Sequence, residues 1–389
     1  MKLSRTVALA CMIFFTTAVV FPGAADAGWF GGLFGKKAAP TAPSLADIYP
    51  VQNEQSFENV AKVFHKIPFN NPELEYSILL PKDWQSKDAI QSAPLGNLGH
   101  EIISEVARYQ SPVINTMTAV VVIQSIQLDH EITAKDWLRN YVYSNSCTMQ
   151  GKMTAAGDKR AEANCITTTN GNVLYTHALA AINGNNLLLV EFQTPLYLTG
   201  PLEFLAKKAL DSFKFILVTA RPIENQKVFS FANAVKFSYP ASWTPNALDI
   251  GDNNSMSMQL FNESKGKGKK KQINGMIRFV VIRRDSETSL RKAAFKLKDY
   301  FNNFLGLDFK KLVSSQRPPA ASRFVFARDE IYQVSTKNAT THDQEVRLVT
   351  LGSKSWYVFA FLLTPEADDN FYTWACNTRA FDMVVKSIH

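Results

Sequence analysis

The densest group of like charges in the chain is a lysine run in the segment ESKGKGKKKQ, residues 263–272. Its five members are Lys265, Lys267, Lys269, Lys270 and Lys271. Ammonium groups at this density attract phosphate and carboxylate groups, and each lysine near an anionic membrane adds about 1 kcal/mol. The run therefore predicts an anion-contacting hairpin tip, with a solvated loop kept soluble by its charge as the alternative.

Residue patterns that carry catalysis are lacking in the rest of the sequence. The histidines show no HExxH pair or comparable metal-ligand spacing, and no G-x-S-x-G, P-loop or EF-hand pattern occurs. The lysine run contains GKGKKK but lacks the spacing of a phosphate-binding loop. We therefore predict no catalytic residue, no metal site and no cofactor. A hydrolase whose site is assembled from distant residues is the third interpretation of the function.

The N-terminus has the pattern of a signal peptide. Lys2 and Arg5 precede the apolar segment VALACMIFFTTAVVF, which is short for a membrane span and is followed by PGAADA. This order predicts cleavage near Ala27 and Gly28 and a periplasmic or secreted protein. An uncleaved anchor and a lipoprotein modified at Cys11 are the alternatives.

Residues 28–53 are rich in Gly, Pro and Ala and lack helical spacing, so they are predicted to be a flexible leader. Four large apolar residues stand beside two lysines in this leader: Trp29, Phe30, Leu33 and Phe34. Such a group would contact a membrane surface or a protein partner. The alternative is a disordered tail without a binding role.

Length and charge limit the class of partner. The chain has 389 residues, a 46% hydrophobic content and a formal net charge of +8. This length suggests about two domains. A basic exported protein favours anionic lipid, glycan or an acidic protein partner, and we expect no nucleic acid.

One short pattern occurs twice. Pro81 and Trp84 of ILLPKDW recur 159 positions later as Pro240 and Trp243 of FSYPASW. The same offset matches MTAVVVI with MIRFVVI and WLRNY with KLKDY, and it drifts to 170 for LLLVEFQTP and YVFAFLLTP. A shared offset over such a length indicates a tandem duplication. The predicted boundaries follow a signal peptide at 1–27: a first domain at 54–217, a linker at 218–228 and a second domain at 229–389.

Each copy has the same predicted order of elements. An alternating strand ends at the proline, and the tryptophan beyond it is predicted to fold back as a buried lid. Then come a hairpin, a helix, three strands and a closing helix. The segment SFENVAKVFHKI at 56–67 is predicted to be a short amphipathic helix that opens the first domain. The predicted fold class is α+β, with an antiparallel sheet flanked by helices in each domain.

This order resembles the PsbP-like fold. The matching residues are LLPKDW and FSYPASW, the strands VVVI and FVVI, and the two closing helices, over residues 73–216 and 229–389. The PsbP-like αβα sandwich is shared by PsbP of photosystem II, a Ran-binding transport protein and DcrB-type envelope proteins. The resemblance implies partner binding or assembly rather than catalysis, and it brings no catalytic motif.

Three cysteines remain after removal of the signal peptide. Cys147 follows the predicted helix TAKDWLRNYVYSN, and Cys165 lies in the next recognised strand, so we predict a disulfide between them. Cys376 stands in the closing segment FYTWACNTRAF and is predicted to be a buried apolar thiol. Three reduced, buried cysteines are the alternative.

The sequence therefore predicts an exported, non-enzymatic envelope protein that binds or assembles with a protein partner through two PsbP-like domains. The alternative function is docking on anionic lipid or polysaccharide through the basic second domain. A pull-down from envelope extract separates the two.

Overall fold

A computed structural model describes the chain from residue 53 to the C-terminus, with gaps. The described ranges are 53–87, 103–113, 117–169, 171–231, 234–250, 254–265, 271–284, 289–303, 305–318, 322–336 and 344–389. The predicted signal peptide and all but the last residue of the predicted leader lie outside them.

The first half contains three helices and ten strands in its described residues. In chain order they are α1 (Glu54–Val60), β1 (Ala61–Lys66), β2 (Tyr76–Pro81), β3 (Gln85–Lys87), β4 (Ile103–Gln110), β5 (Val120–Gln127), α2 (Ala134–Ser144), β6 (Thr148–Ala155), β7 (Arg160–Thr169), β8 (Asn172–Asn183), β9 (Asn186–Pro195), α3 (Thr199–Ser212) and β10 (Lys214–Phe215). Short 3-10 turns occupy Pro68–Asn70, Pro72–Leu74 and Leu196–Leu198.

The second half contains two helices and nine strands in its described residues. They are β11 (Gln226–Phe231), β12 (Val235–Pro240), β13 (Trp243–Ile250), β14 (Ser255–Lys265), β15 (Lys271–Arg283), α4 (Leu290–Asn303), β16 (Leu307–Gln316), β17 (Phe326–Thr336), β18 (Gln344–Gly352), β19 (Trp356–Pro365) and α5 (Phe371–Ser387).

Each half is built around a seven-stranded antiparallel sheet, and the two sheets have the same strand order. The first sheet runs β3-β4-β5-β9-β8-β7-β6, and the second runs β13-β14-β15-β19-β18-β17-β16. The middle helix, α2 or α4, packs on one face of its sheet, and the closing helix, α3 or α5, packs on the other. The predicted α+β class with two tandem sheet-and-helix units is therefore confirmed.

A smaller sheet extends each closing-helix face. In the first half it consists of β1, β2 and β10, and in the second half of β11 and β12. The prediction of one helix over residues 56–67 is wrong beyond Val60, because residues from Ala61 to Lys66 form β1. Ala61 already has extended backbone, and β1 pairs antiparallel with β2 along its whole length. Strand pairing with a distant segment thus overrides the local helical spacing of apolar residues.

The repeat is confirmed, but its offset is not constant through the hairpin. Gln127 ends β5 and pairs with the first residue of β9, just as Arg283 ends β15 and pairs with the first residue of β19. The predicted offset of 159 would match Gln124 with Arg283 instead, three residues away. An odd shift turns side chains to the opposite face of a sheet. The structure therefore corrects the alignment of MTAVVVI with MIRFVVI, although the tryptophans keep the predicted match.

Both tryptophans of the doubled pattern are buried, as predicted. Trp84 and Trp243 are each 2% exposed and belong to the core between the large sheet and the closing helix. The ring of Trp84 lies 5.4 Å from that of Phe192 on β9. The pattern Pro-x-x-Trp thus marks the point where the chain leaves the small sheet and covers one end of the core.

The two halves share an apolar contact. Ala375 and Cys376 at the start of α5 are buried in the first-half core under α2. The guanidinium of Arg139 on α2 lies 4.6 Å from the ring centre of Phe371 on α5, and Arg379 pairs with Asp158 at 2.9 Å. The second half therefore contributes side chains to the core of the first half. A division of the chain into two independent domains would leave this contact out.

A pair of glutamates fixes the connection between the halves. The carboxylate of Glu224 accepts the backbone N–H groups of Glu131 at 2.8 Å and of Ser242 at 3.0 Å, and Glu131 accepts the N–H of Glu224 at 3.1 Å. Burial raises the pKa of Glu131, against the opposing effect of these hydrogen bonds and of Arg379. Strand β11 begins at Gln226, inside the segment predicted to be a linker.

A disulfide joins Cys147 to Cys165, with the two Cα atoms 5.7 Å apart. It ties the turn that follows α2 to the middle of β7. Between the two cysteines lies the edge strand β6, which the sequence pattern did not predict. Five of the eight residues of β6 are polar or glycine, and a register shift interrupts it between Gln150 and Thr154, so the strand shows no clean alternation. Cys376 is buried, as predicted.

Candidate functional site

The structure describes only the two ends of the lysine run. Lys265 and Lys271 pair with each other at the ends of the antiparallel strands β14 and β15. Lys267, Lys269 and Lys270 lie outside the described residues. The leader residues predicted to contact a membrane or partner also lie outside them: Trp29, Phe30, Leu33 and Phe34.

A second basic surface lies on the same half, formed by α4 and the edge strand β16. Its exposed charged residues are Arg291, Lys292, Asp299, Asp308, Lys310 and Lys311. The cations outnumber the carboxylates on this surface, and Phe295 of α4 is 72% exposed beside them. A charged helix face with an exposed aromatic ring is typical of contact with an anionic surface.

The middle helix of each half carries a tyrosine that bonds a charged residue of the sheet. In the second half, the guanidinium of Arg278 donates to the hydroxyl of Tyr300 and lies 4.2 Å from the ring centre. In the first half, the hydroxyl of Tyr141 donates to the carboxylate of Glu191 at 3.0 Å. Tyr141 and Tyr300 are separated by the offset of 159 that relates the helices. The two copies therefore hold opposite charges under equivalent tyrosines.

The first-half tyrosine opens onto a polar pocket of about 420 Å³. The pocket lies at the C-terminal end of α2, against β6 to β9. Its polar lining includes Tyr141, Asn145, Thr148, Thr176, Glu191 and Gln193, and Cys147 of the disulfide forms part of its wall. Among the described residues that line it there is no lysine, arginine or histidine.

Glu191 is the central charged residue of this pocket. It is 6% exposed, and its second carboxylate oxygen accepts a hydrogen bond from Gln193 at 3.2 Å. Burial raises the pKa of Glu191, while the hydrogen bonds from Tyr141 and Gln193 and the charge of Arg108 act against that rise. Burial also raises the pKa of Tyr141, so that its hydroxyl stays a donor. Each oxygen of the Glu191 carboxylate accepts one hydrogen bond here and has room for a second, and in its ionised form the carboxylate can balance a positive charge.

The sequence contained a signal for Glu191 that pattern reading did not use. Strand β9 has the sequence NLLLVEFQTP, in which one carboxylate interrupts a run of apolar residues. A buried carboxylate needs partners. Those partners come from a helix fifty residues earlier, and the sequence alone does not show that Tyr141 reaches this strand.

The first half also has an exposed apolar surface, on the outer face of its small sheet. On β1, the Phe64 ring contacts Tyr109 of the large sheet at 4.9 Å, so its neighbours Val63 and His65 point outward. Val63 is 63% exposed, and Ile67 and Ile216 are also exposed. Ile67 directly follows Lys66, which stands opposite Tyr76, and Ile216 directly follows β10 and donates its N–H to the backbone oxygen of Glu75. We call this set (Val63, Ile67 and Ile216) the outer apolar face.

Next to the outer apolar face, Phe69 is 67% exposed and has a φ of 53°. Asn70 after it has the same φ. A phenylalanine in left-handed backbone costs of order 1–3 kcal/mol and persists only where the surroundings impose it. The local chain thus holds a large apolar ring in solvent despite a backbone penalty.

No family model matches the sequence, and no curated protein matches it. Among solved structures, the chain is similar to the Ran-binding protein Mog1p of Saccharomyces cerevisiae, at 11% identity and a TM-score of 0.30, over 43% of this chain and 95% of Mog1p. It is similar to cyanobacterial PsbP of Synechocystis, at 14% identity and a TM-score of 0.29, over 40% of this chain and 92% of that protein. The similarity is to the PsbP-like fold.

A further similar structure is LpqN of Mycobacterium tuberculosis, described as involved in cell envelope biogenesis. The identity is 13% and the TM-score 0.28, over 45% of this chain and 98% of LpqN. At these identities the likeness concerns the fold alone, so function has to come from the surfaces of this chain.

Within the described residues, no group of three or more His, Cys, Asp or Glu side chains is placed to hold a metal ion. In the same part of the chain, none of the helices has the length and apolar character needed to cross a membrane.

Proposed function

We propose that this is an exported, non-enzymatic binding protein of the cell envelope that acts through a protein partner. Its two PsbP-like domains span residues 54–217 and 229–389 in this proposal. The partner docks on the outer apolar face of the first half. The observation that carries the proposal is the exposure of Val63, Ile67 and Ile216 together on one side of a sheet. Several exposed large apolar side chains on one side of a folded protein mark a candidate interaction site.

The second half provides an internal comparison. By strand register, Val63 and His65 of β1 correspond to Val228 and Ser230 of β11. Val228 is exposed like Val63, but it stands opposite Ser238 where Val63 stands opposite Leu79. Within the described residues of β11 and β12, the equivalent surface of the second half is therefore polar around Val228. The duplication alone does not account for the apolar surface of the first half.

The charges near the outer apolar face indicate the chemistry of the partner. Ser77 of β2 stands opposite His65 of β1 on one side and opposite Lys214 of β10 on the other. Lys214 therefore lies on the same face as His65, and it is exposed. The Glu75 carboxylate on this face is already bonded by His65 at 2.6 Å. We expect a partner surface with an apolar centre and a carboxylate at its rim, placed to meet Lys214.

Changing Val63, Ile67 and Ile216 to serine should weaken partner binding at least tenfold and leave the fold intact, because all three side chains are exposed. The partner is first captured from envelope extract with a photo-crosslinker at position 67 and is then purified. Its affinity for wild-type and variant protein is measured by calorimetry. Val228→Ser, the equivalent site in the second half, is the matched control and should bind as wild type does. Unchanged affinity of the triple variant would refute this docking surface.

The second candidate function is docking on an anionic lipid or polysaccharide surface through the second half. The observation that favours it is the basic surface of α4 and β16, beside an exposed Phe295 and close in sequence to the lysine hairpin. Each lysine or arginine near an anionic membrane adds about 1 kcal/mol, and the attraction weakens with salt.

Replacing Lys265, Lys267, Lys269, Lys270 and Lys271 with serine should reduce binding to phosphatidylglycerol vesicles or lipopolysaccharide in low salt. Vesicle co-sedimentation of wild type and variant, in low and in high salt, measures the effect. The triple serine variant of the outer apolar face is the control, and its vesicle binding should be unchanged. Equal binding of the lysine variant and wild type in both salts would eliminate the electrostatic hairpin.

A further inference from the structure

We propose that the polar pocket of the first half binds a small hydroxylated ammonium compound of about the size of an amino sugar. This site is separate from the outer apolar face, since the pocket opens on the middle-helix side of the large sheet and the outer apolar face belongs to the small sheet on the other side. Its volume of about 420 Å³ lies within the range of small-molecule sites, about 300–1,000 Å³.

The sign of the charge in the pocket selects a cation. Glu191 supplies a carboxylate, and the C-terminal end of α2 adds the negative end of a helix dipole. The last turn of α2 contains no basic residue, although a cation commonly stands at that position. Since no described lining residue is basic either, an ammonium group of a ligand would fill that role.

The charged neighbours of Glu191 leave this negative charge uncompensated. On the flanking strands it stands beside Val122 and Ala178, which are apolar. Arg108 of β4 acts on Glu191 from one strand further away, but its guanidinium is bonded to both oxygens of Glu105, at 2.9 and 2.7 Å. Tyr141 faces Glu191 from α2 as a neutral donor. The sum over these groups is one net negative charge when Glu191 is ionised.

The rest of the lining favours a ligand with hydroxyl groups. Thr148, Thr176, Asn145 and Gln193 present hydroxyl and amide groups that both donate and accept hydrogen bonds. The disulfide at Cys147 fixes the end of α2 to β7, so one wall of the pocket is held in place before a ligand enters. Preorganised polar groups lose little entropy on binding.

Glucosamine and glucose are the matched probes, because they have the same ring size and differ by an ammonium group. With the full-length exported protein, we expect glucosamine to bind at least tenfold more tightly than glucose, as measured by NMR titration or calorimetry at a pH where the amine is charged. Equal binding of the two sugars, or binding of neither, would overturn the proposal. This comparison needs no variant.

Glu191→Gln keeps the shape of the side chain and the hydrogen bond from Tyr141 but removes the charge. It should lower the affinity for glucosamine at least tenfold and leave that for glucose unchanged within a factor of about two. Glu203→Gln is the control, because Glu203 is an exposed carboxylate on α3, on the opposite face of the same sheet. A loss of equal size in both variants, or unchanged binding in Glu191→Gln, would show that Glu191 does not hold the ammonium group.

Discussion

Replacement of Trp84 with alanine is expected to lower the free energy of unfolding by about 3–5 kcal/mol, the usual cost of truncating a buried aromatic side chain. The expectation rests on an exposure of 2%, on the contact with Phe192 and on a position in the core beneath α3. Trp243→Ala should cost a similar amount, because Trp243 has the same exposure in the equivalent core of the second half. Urea unfolding of the full-length protein, followed by circular dichroism, measures both.

Trp84→Phe is the matched control. The indole nitrogen of Trp84 is buried and has no hydrogen-bond acceptor among the described residues. Phenylalanine keeps an aromatic ring and removes this unsatisfied donor, so the loss of stability should be clearly smaller than for alanine. A loss under about 1 kcal/mol in both alanine variants would contradict a role as buried lids and would favour an exposed recognition role.

Local patterns predicted the architecture because both copies carry them. Pro81 with Trp84, and Pro240 with Trp243, mark the same corner of the fold twice, and apolar spacing predicted the middle and closing helices. The strands β7, β8 and β9 were predicted as three segments separated by Asn and Gly residues. These features depend on residues that are neighbours in the sequence, so they can be predicted from a single sequence.

The errors occur where distant residues decide the structure. Residues 61–66 have helical spacing, yet β2 pairs with them and they form a strand. The hairpin of the second half is shifted against the first by an odd number of residues. In the register of the strand pairs, FVVI of the second half stands level with residues 123–126, IQSI, and not with VVVI. The similarity of the two apolar runs therefore misplaced the alignment, which strand pairing corrects. The contact of Cys376 with the first half likewise depends on how two distant helices meet.

The candidate site was less accessible to sequence reasoning than the fold. The lysine run is a local feature that sequence reading can identify, and its role in binding stays a prediction. The outer apolar face instead combines Val63 with Ile216, residues far apart in the chain. Ile216 directly follows β10, and a lone apolar residue at that position does not indicate a binding surface. The pair of Tyr141 and Glu191 depends on a similar long-range contact.

The second large effect is expected at a buried ion network of the second half. Arg347 of β18 donates to Asp329 of β17 through two nitrogens, at 3.0 and 2.7 Å, and to Asp382 of α5 at 2.7 Å. Asp329 has no solvent exposure. Burial by itself lowers the pKa of Arg347, but the hydrogen bonds and charges of Asp329 and Asp382 raise it further than burial lowers it. The guanidinium therefore stays charged and links the sheet to the closing helix.

Arg347→Met should lower the free energy of unfolding by about 3–5 kcal/mol, because it leaves the Asp329 carboxylate buried without its partner. The control is the double variant Arg347→Met with Asp329→Leu, in which both charges are gone. Replacing both members of a buried ion pair with apolar residues is often neutral, so the double variant should recover most of the loss. Urea unfolding of the two single variants and the double variant gives the coupling energy. If the double variant were as unstable as the sum of the single variants, the loss would come from packing and not from the unpaired charge.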